Sequence, residues 1–127
     1  MKLNSFTELE CWKEARSLKK DVSALAKTFP PEEKYDLVQQ IKRSSRSVTA
    51  NIAEGHGRFH YQENIQFCRQ ARGSLTETLD HLITALDEEY IDQSTLDRFQ
   101  TQLEKCLRLL NGFINYLQRA KASDKNK

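Results

Sequence analysis

The chain has 127 residues, a net charge of +2, 38% hydrophobic and 30% charged residues, the size and balance of one domain built from amphipathic helices. Four Gly and two Pro leave too few turn residues for an all-β fold. No apolar run reaches the ~18 residues of a membrane span, and Met1–Glu10 is too polar for a secretory leader, which predicts a cytoplasmic protein.

The first helix is predicted over residues 8–28. Thr7 and Glu10 have the spacing of a capping box, with Phe6 and Cys11 placed as a hydrophobic staple. Cys11, Ala15, Leu18, Val22, Leu25 and Phe29 form its apolar seam, and Phe29-Pro30-Pro31 ends it. Pro31 opens a second helix over 32–54, with a seam of Val38, Ile41, Ser45, Val48 and Ile52. Gly55 and Gly57 are expected to stop it in left-handed conformations. A third helix over 61–88 carries Ile65, Cys68, Arg72, Leu75, Leu79, Leu82 and Leu86. The fourth, over 95–120 with Asp92 or Ser94 as cap, carries Leu96, Phe99, Leu103, Cys106, Leu110, Phe113 and Leu117. Each spans roughly 30–40 Å. Four such seams joined by short connections predict an all-α, antiparallel up-down-up-down four-helix bundle over 1–120, with a polar tail at 121–127.

Charge is unevenly placed. Residues 42–72 carry +4, residues 73–97 carry −7 without a single Lys or Arg, and residues 98–127 carry +5. Lys42, Arg43 and Arg46 cluster on the second helix, Arg58 follows in the loop, and Arg98, Lys105, Arg108 and Arg119 share one stripe of the fourth. Rows of cations suit phosphates, because neutralising them releases counterions. Few aromatics interleave with these cations, so base stacking is not indicated.

Two features predict self-association. Leu107, Leu109, Ile114 and Tyr116 widen the apolar stripe of the fourth helix. Gly73 and Ser74 on the third helix, and Ser47, Ala50 and Ala53 on the second, make small-residue outer faces that let another backbone approach. Arg72 stands at a seam position and needs an acceptor; Glu54, Asn51 and Glu77 are the candidates.

Support for catalysis is poor. The three cysteines are far apart, lack a CxxC and lie on the seams, as buried free thiols would. Glu77 and His81, four apart on one helix, read as a solvated pair, and His56 and His60 as a polar loop cluster, so no metal and no cofactor is expected. A metal enzyme is the least supported of three readings, behind an RNA-binding scaffold and a protein-interaction module.

The run Gln40 to Arg58, with Ser47-Val48-Thr49-Ala50-Asn51-Ile52-Ala53-Glu54-Gly55-His56-Gly57-Arg58 at its centre, resembles a family signature. So do Phe29-Pro30, the Glu33 to Leu37 stretch and Ala71-Arg72-Gly73-Ser74-Leu75-Thr76-Glu77. They are similar to the four-helix-bundle proteins encoded in intervening sequences of bacterial 23S ribosomal RNA genes. The resemblance covers nearly the whole chain. It implies a homo-oligomer, typically a pentamer, without known catalytic activity, and a link to RNA that is at least genomic. The accessory protein of diversity-generating retroelements shares the fold, as a basic pentamer that binds a reverse transcriptase and nucleic acid. That makes a reverse transcriptase a further candidate partner. Asn51, Glu54, Gly55 and Gly57 then read as structural, with Gly55 as a helix stop and Asn51 and Glu54 as polar ties at the chain reversal.

Overall fold

The computed structural model describes residues 5–124, and among them the regular structure is entirely helical. Four α-helices follow one another: α1 (Glu10–Ala26), α2 (Leu37–His56), α3 (Tyr61–Asp87) and α4 (Gln93–Ser123). At 1.5 Å per residue they run from about 26 Å to about 46 Å, a wider spread than the sequence suggests. α1 packs on α2 and α4, and α3 packs on α2 and α4. Their apolar faces enclose one core, in which Leu18, Val22, Ile41, Val48, Ile52, Ile65, Leu82, Phe99 and Leu110 are among the most deeply buried side chains.

Contacts between neighbouring helices fall in reverse order along the chain. On α2 and α3, Ser44 meets Thr78, Ser47 meets Ser74 and Gly55 meets Asn64. On α1 and α4, Cys11 meets Cys106, Glu14 meets Lys105 and Asp21 meets Gln102.

The helix ends depart from the expected signals. Thr7 and Glu10 do not make a capping box: Ser5 caps a 3₁₀ turn at Phe6–Glu8, Leu9 precedes α1, and Phe6 packs edge-on to Trp12. Pro31 opens a 3₁₀ turn, Pro31–Glu33, and α2 starts only at Leu37. Glu33 holds that corner: its Oε1 accepts the Leu37 N–H at 3.3 Å, and its Oε2 accepts the Tyr90 hydroxyl at 2.7 Å. Tyr90 also packs on Phe29, with ring centroids 5.6 Å apart.

Neither Gly55 nor Gly57 adopts a left-handed conformation. Gly55 lies inside α2 and is buried; a Cβ there would stand 2.7 Å from Asn64 Oδ1 and 2.8 Å from Phe67 Cβ. It is a contact glycine that lets α3 close on α2, and Gly57 is the residue after the helix end. Among the described residues, the one left-handed residue is Glu89 (φ 64°), where α3 stops. Glu89 N–H donates to Leu86 O and Tyr90 N–H to Ala85 O, both at 2.9 Å, the bonding of a Schellman motif. α4 is capped by Asp92, whose carboxylate accepts the Thr95 N–H at 2.8 Å, and it runs three residues beyond the expected end at 120. Residues 125–127 of the expected tail lie outside the described residues.

Candidate nucleic-acid interface

α2 turns its seam inward and leaves Arg43 and Arg46 exposed on the opposite side, with Lys42 half-buried beside them. These three have no ion-pair partner among the described residues. Arg58, past the end of α2, is held instead. Glu54 and Glu63 reach its guanidinium at 3.4 and 3.6 Å, and the group lies 4.9 Å from the Phe67 ring centre. Glu54 thus ties the chain reversal through Arg58, while Asn51 bonds within α2, donating to Ser47 O at 2.8 Å and to Ser47 Oγ at 2.9 Å.

On α4, Arg98, Lys105, Arg108 and Arg119 are all exposed. The first three border a shallow groove of about 580 Å³ between α4 and α1, with Thr101, Gln102 and Glu104 from the same helix. α1 contributes acids to it. Glu14 pairs with Lys105 at 3.4 Å, and Asp21 accepts from Gln102 at 3.1 Å. Arg98 lies over the Phe99 ring at 4.8 Å. α1 also contributes cations the sequence reading missed: Lys13, Arg16 and Lys20 surround an adjoining hollow. Their three- and four-residue spacing is a legible helical stripe, hidden because residues 1–41 hold as many acids as bases. α2 and α4 share no main packing interface, so their cations form two separate faces.

The acids of residues 73–97 gather mainly at one end. Glu88 lies in the α3–α4 turn near Tyr90, where Glu32 and Glu33 of the α1–α2 turn also bear. Accepting by the Glu33 carboxylate, with those further charges, pushes the Tyr90 phenol up to about 12. Bonding to Thr95 holds the Asp92 carboxyl below its ordinary range.

The expected self-association residues divide. Ser47 and Ser74 do not make free outer faces: Ser74 Oγ donates to Ser47 Oγ at 2.9 Å, so the two small-residue faces meet each other. Ile114 is spent in the core at 4% exposure, while Phe113 is half-buried, because the seam drifts by one residue along α4. Ala50 is exposed, and Gly73 is exposed with nothing within 4 Å of a Cβ built there. Leu107 and Leu109 are half-buried against the core, and Tyr116 is 55% exposed. Leu107 joins Leu75, Leu79 and Leu103 in an apolar notch between α3 and α4. Arg72 lies off the seam, which Ala71 fills, and donates to Asn111 Oδ1 at 2.9 Å rather than to Glu54, Asn51 or Glu77. His81 bonds Glu77 at 3.1 Å and is buried, not solvated. Among the described residues, no group of three or more His, Cys, Asp or Glu could hold a metal ion, and no helix is long and apolar enough to cross a membrane.

The profile of the 23S rRNA-intervening sequence protein family matches residues 7–112, from the turn before α1 into the second half of α4. The chain belongs to this family. A solved structure shares the fold: a protein of unknown function from the S23 ribosomal protein family of Bacteroides thetaiotaomicron. The TM-score is 0.76 at 23% identity, over 83% of this chain and 95% of the other. No curated protein matches the chain. The family match includes Arg43, Arg46, Arg58, Arg98, Lys105 and Arg108 and stops short of Tyr116 and Arg119.

Proposed function

We propose that this member of the 23S rRNA-intervening sequence protein family is a non-enzymatic, cytoplasmic, self-associating scaffold that binds RNA, alone or within a nucleic-acid–protein complex. The reverse-order contacts of α2 with α3 and of α1 with α4 support the antiparallel up-down-up-down bundle as its frame. The observation that carries the RNA reading is the exposed row Arg98, Lys105 and Arg108 along the α1–α4 groove, flanked by Lys13, Arg16 and Lys20. Such a row contacts backbone phosphates and carries no base information by itself. Self-association, with a pentamer as the family's typical form, repeats the row on every copy, and weak contacts then add through avidity. The apolar notch at Leu79 and Leu107 and the open Gly73 support that association. The test is a titration with mixed-sequence RNA at about 50 mM and about 200 mM salt: tight, sequence-tolerant and salt-weakened binding is expected.

A protein-interaction module is the second reading. The pairing of Lys105 with Glu14 and of Arg58 with Glu54 and Glu63 favours it, since cations already neutralised release fewer counterions. No binding of RNA at tens of micromolar protein decides for this reading.

A further inference from the structure

Where α1 and α3 begin and α2 and α4 approach their ends, a cleft of about 330 Å³ opens. That volume lies at the lower end of the range for small-molecule sites, about 300–1,000 Å³. It suits one planar ring system and is too small to seat a packed helix. Its walls are unusual for this surface. Phe59, in the α2–α3 turn, is 81% exposed, the most of any large hydrophobic residue described. Tyr116 on α4 is 55% exposed and lies parallel to the Phe113 ring, with 13° between planes and 6.2 Å between centroids. His60 meets the Phe59 ring edge-on at 5.2 Å. Arg58, shared with Glu54 and Glu63, lines the same cleft, and the exposed Arg119 stands three residues beyond Tyr116 on α4.

We infer that this cleft takes one unpaired nucleobase of single-stranded RNA, stacked on Phe59 and Tyr116, with an adjoining phosphate toward Arg119. This deepens the RNA reading and rests on it. Exposed aromatic faces next to cations are what a nucleic-acid strand uses, because every base offers a π-face and every linkage a negative charge. The aromatics that the sequence scatters over positions 59, 113 and 116 become one surface only because the α2–α3 turn closes against the last turns of α4.

The test compares a fluorescent uridine 12-mer with an abasic 12-mer of the same charge, for wild type and for Phe59→Ala/Tyr116→Ala. Both side chains are largely exposed, so circular dichroism of the double variant should match wild type. Wild type should bind the uridine strand roughly 5- to 150-fold more tightly than the abasic one. The double variant should lose that preference while keeping the abasic affinity and the salt slope. Equal binding of both strands by wild type, or a preference that survives the double substitution, overturns the base site and leaves phosphate binding standing. Loss of oligomer mass in the double variant overturns it as well, by making the cleft a contact between copies. No binding of either strand by wild type overturns the RNA reading and this site with it.

Discussion

Ser74 donates its hydroxyl hydrogen to Ser47 Oγ at 2.9 Å across the α2–α3 interface. One turn along, Ser44 and Thr78 share a hydrogen bond at 2.9 Å in the buried interior. At the far end of the same interface, Gly55 admits Asn64 and Phe67 to distances that no Cβ tolerates. Small residues therefore draw α2 and α3 together along their length, and two deep hydroxyls satisfy each other there. Gly55→Ala should destabilise the fold by about 1–3 kcal/mol, the range for overpacking a filled site. Ser47→Ala should cost less, about 0.5–1 kcal/mol, because Ser74 Oγ retains Gln70 O at 3.2 Å. Urea melts of the two variants check the order; a neutral Gly55→Ala would contradict the close approach.

Gly73 sits on the same helix with the opposite environment. A Cβ there would have nothing within 4 Å beyond its own stretch of helix. In an isolated copy, Gly73→Leu should raise stability by up to about 1 kcal/mol through helix propensity alone. If a second copy packs over Gly73, the leucine should instead lower the oligomer mass. Multi-angle light scattering beside thermal melting separates the two. A wild type of about 15 kDa at micromolar concentration would remove self-association from the proposal, and unchanged mass in the variant would remove Gly73 from the interface.

These two glycines mark what the sequence could say. Period-seven apolar spacing placed Leu18, Ile41, Val48, Leu82, Phe99 and Leu110 inside, and so gave the four helices with all three thiols buried. It reports which side of a helix is apolar and not which neighbour covers it. Small residues at 47, 50, 73 and 74 announce close approach, but whether the approaching backbone belongs to the same chain is a tertiary fact. Arg72 found its acceptor 39 positions away at Asn111, on a helix where no local rule pointed. Glu89 ended α3 in a left-handed conformation without the glycine that usually signals it. The cation stripe Lys13, Arg16 and Lys20 on α1 is legible in its spacing, but the seven acids of residues 1–41 balance its charge. The aromatic cleft was invisible in sequence, because its rings come from two segments more than 50 positions apart.

The Tyr90–Glu33 bond gives stability an alkaline edge. Its phenol is raised from the ordinary 10 to about 12, chiefly because it donates to the Glu33 carboxylate. A raised folded-state pKa means the contribution is fully present below pH 10 and is lost as pH rises through 12. Wild type should therefore lose stability over pH 10–12, and Tyr90→Phe should lose less over the same window while being weaker at pH 8. Chemical denaturation at the three pH values tests this; parallel losses would show that the bond does not titrate with folding.

Burial pushes the Cys11 thiol up to about 11, and those of Cys68 and Cys106 up to about 12. Thiolate is the reactive form, so the native protein should resist iodoacetamide at pH 8. All three sites should alkylate once the chain is unfolded in guanidinium. Mass spectrometry counts the adducts, and rapid native labelling of one cysteine would reveal local opening of its helix.

For the RNA surface, the ion pairs already present set the ranking of substitutions. Arg108 has no ion-pair partner among the described residues, whereas Lys105 is shared with Glu14 and Arg58 with two carboxylates. Arg108→Gln should therefore weaken single-strand binding more than Lys105→Gln, and Arg58→Gln should act mainly on stability by freeing Glu54 and Glu63. Glu14→Gln should strengthen binding, since it releases Lys105 for phosphate. Each phosphate contact removed should lower the salt slope by roughly 0.7. The triple substitution of Arg98, Lys105 and Arg108 by Gln should then flatten the slope by about two units per copy engaged, with helix content unchanged. Anisotropy titrations over a salt series measure both quantities. A triple variant with the wild-type slope would move the phosphate surface away from α4, to Arg43 and Arg46 on α2.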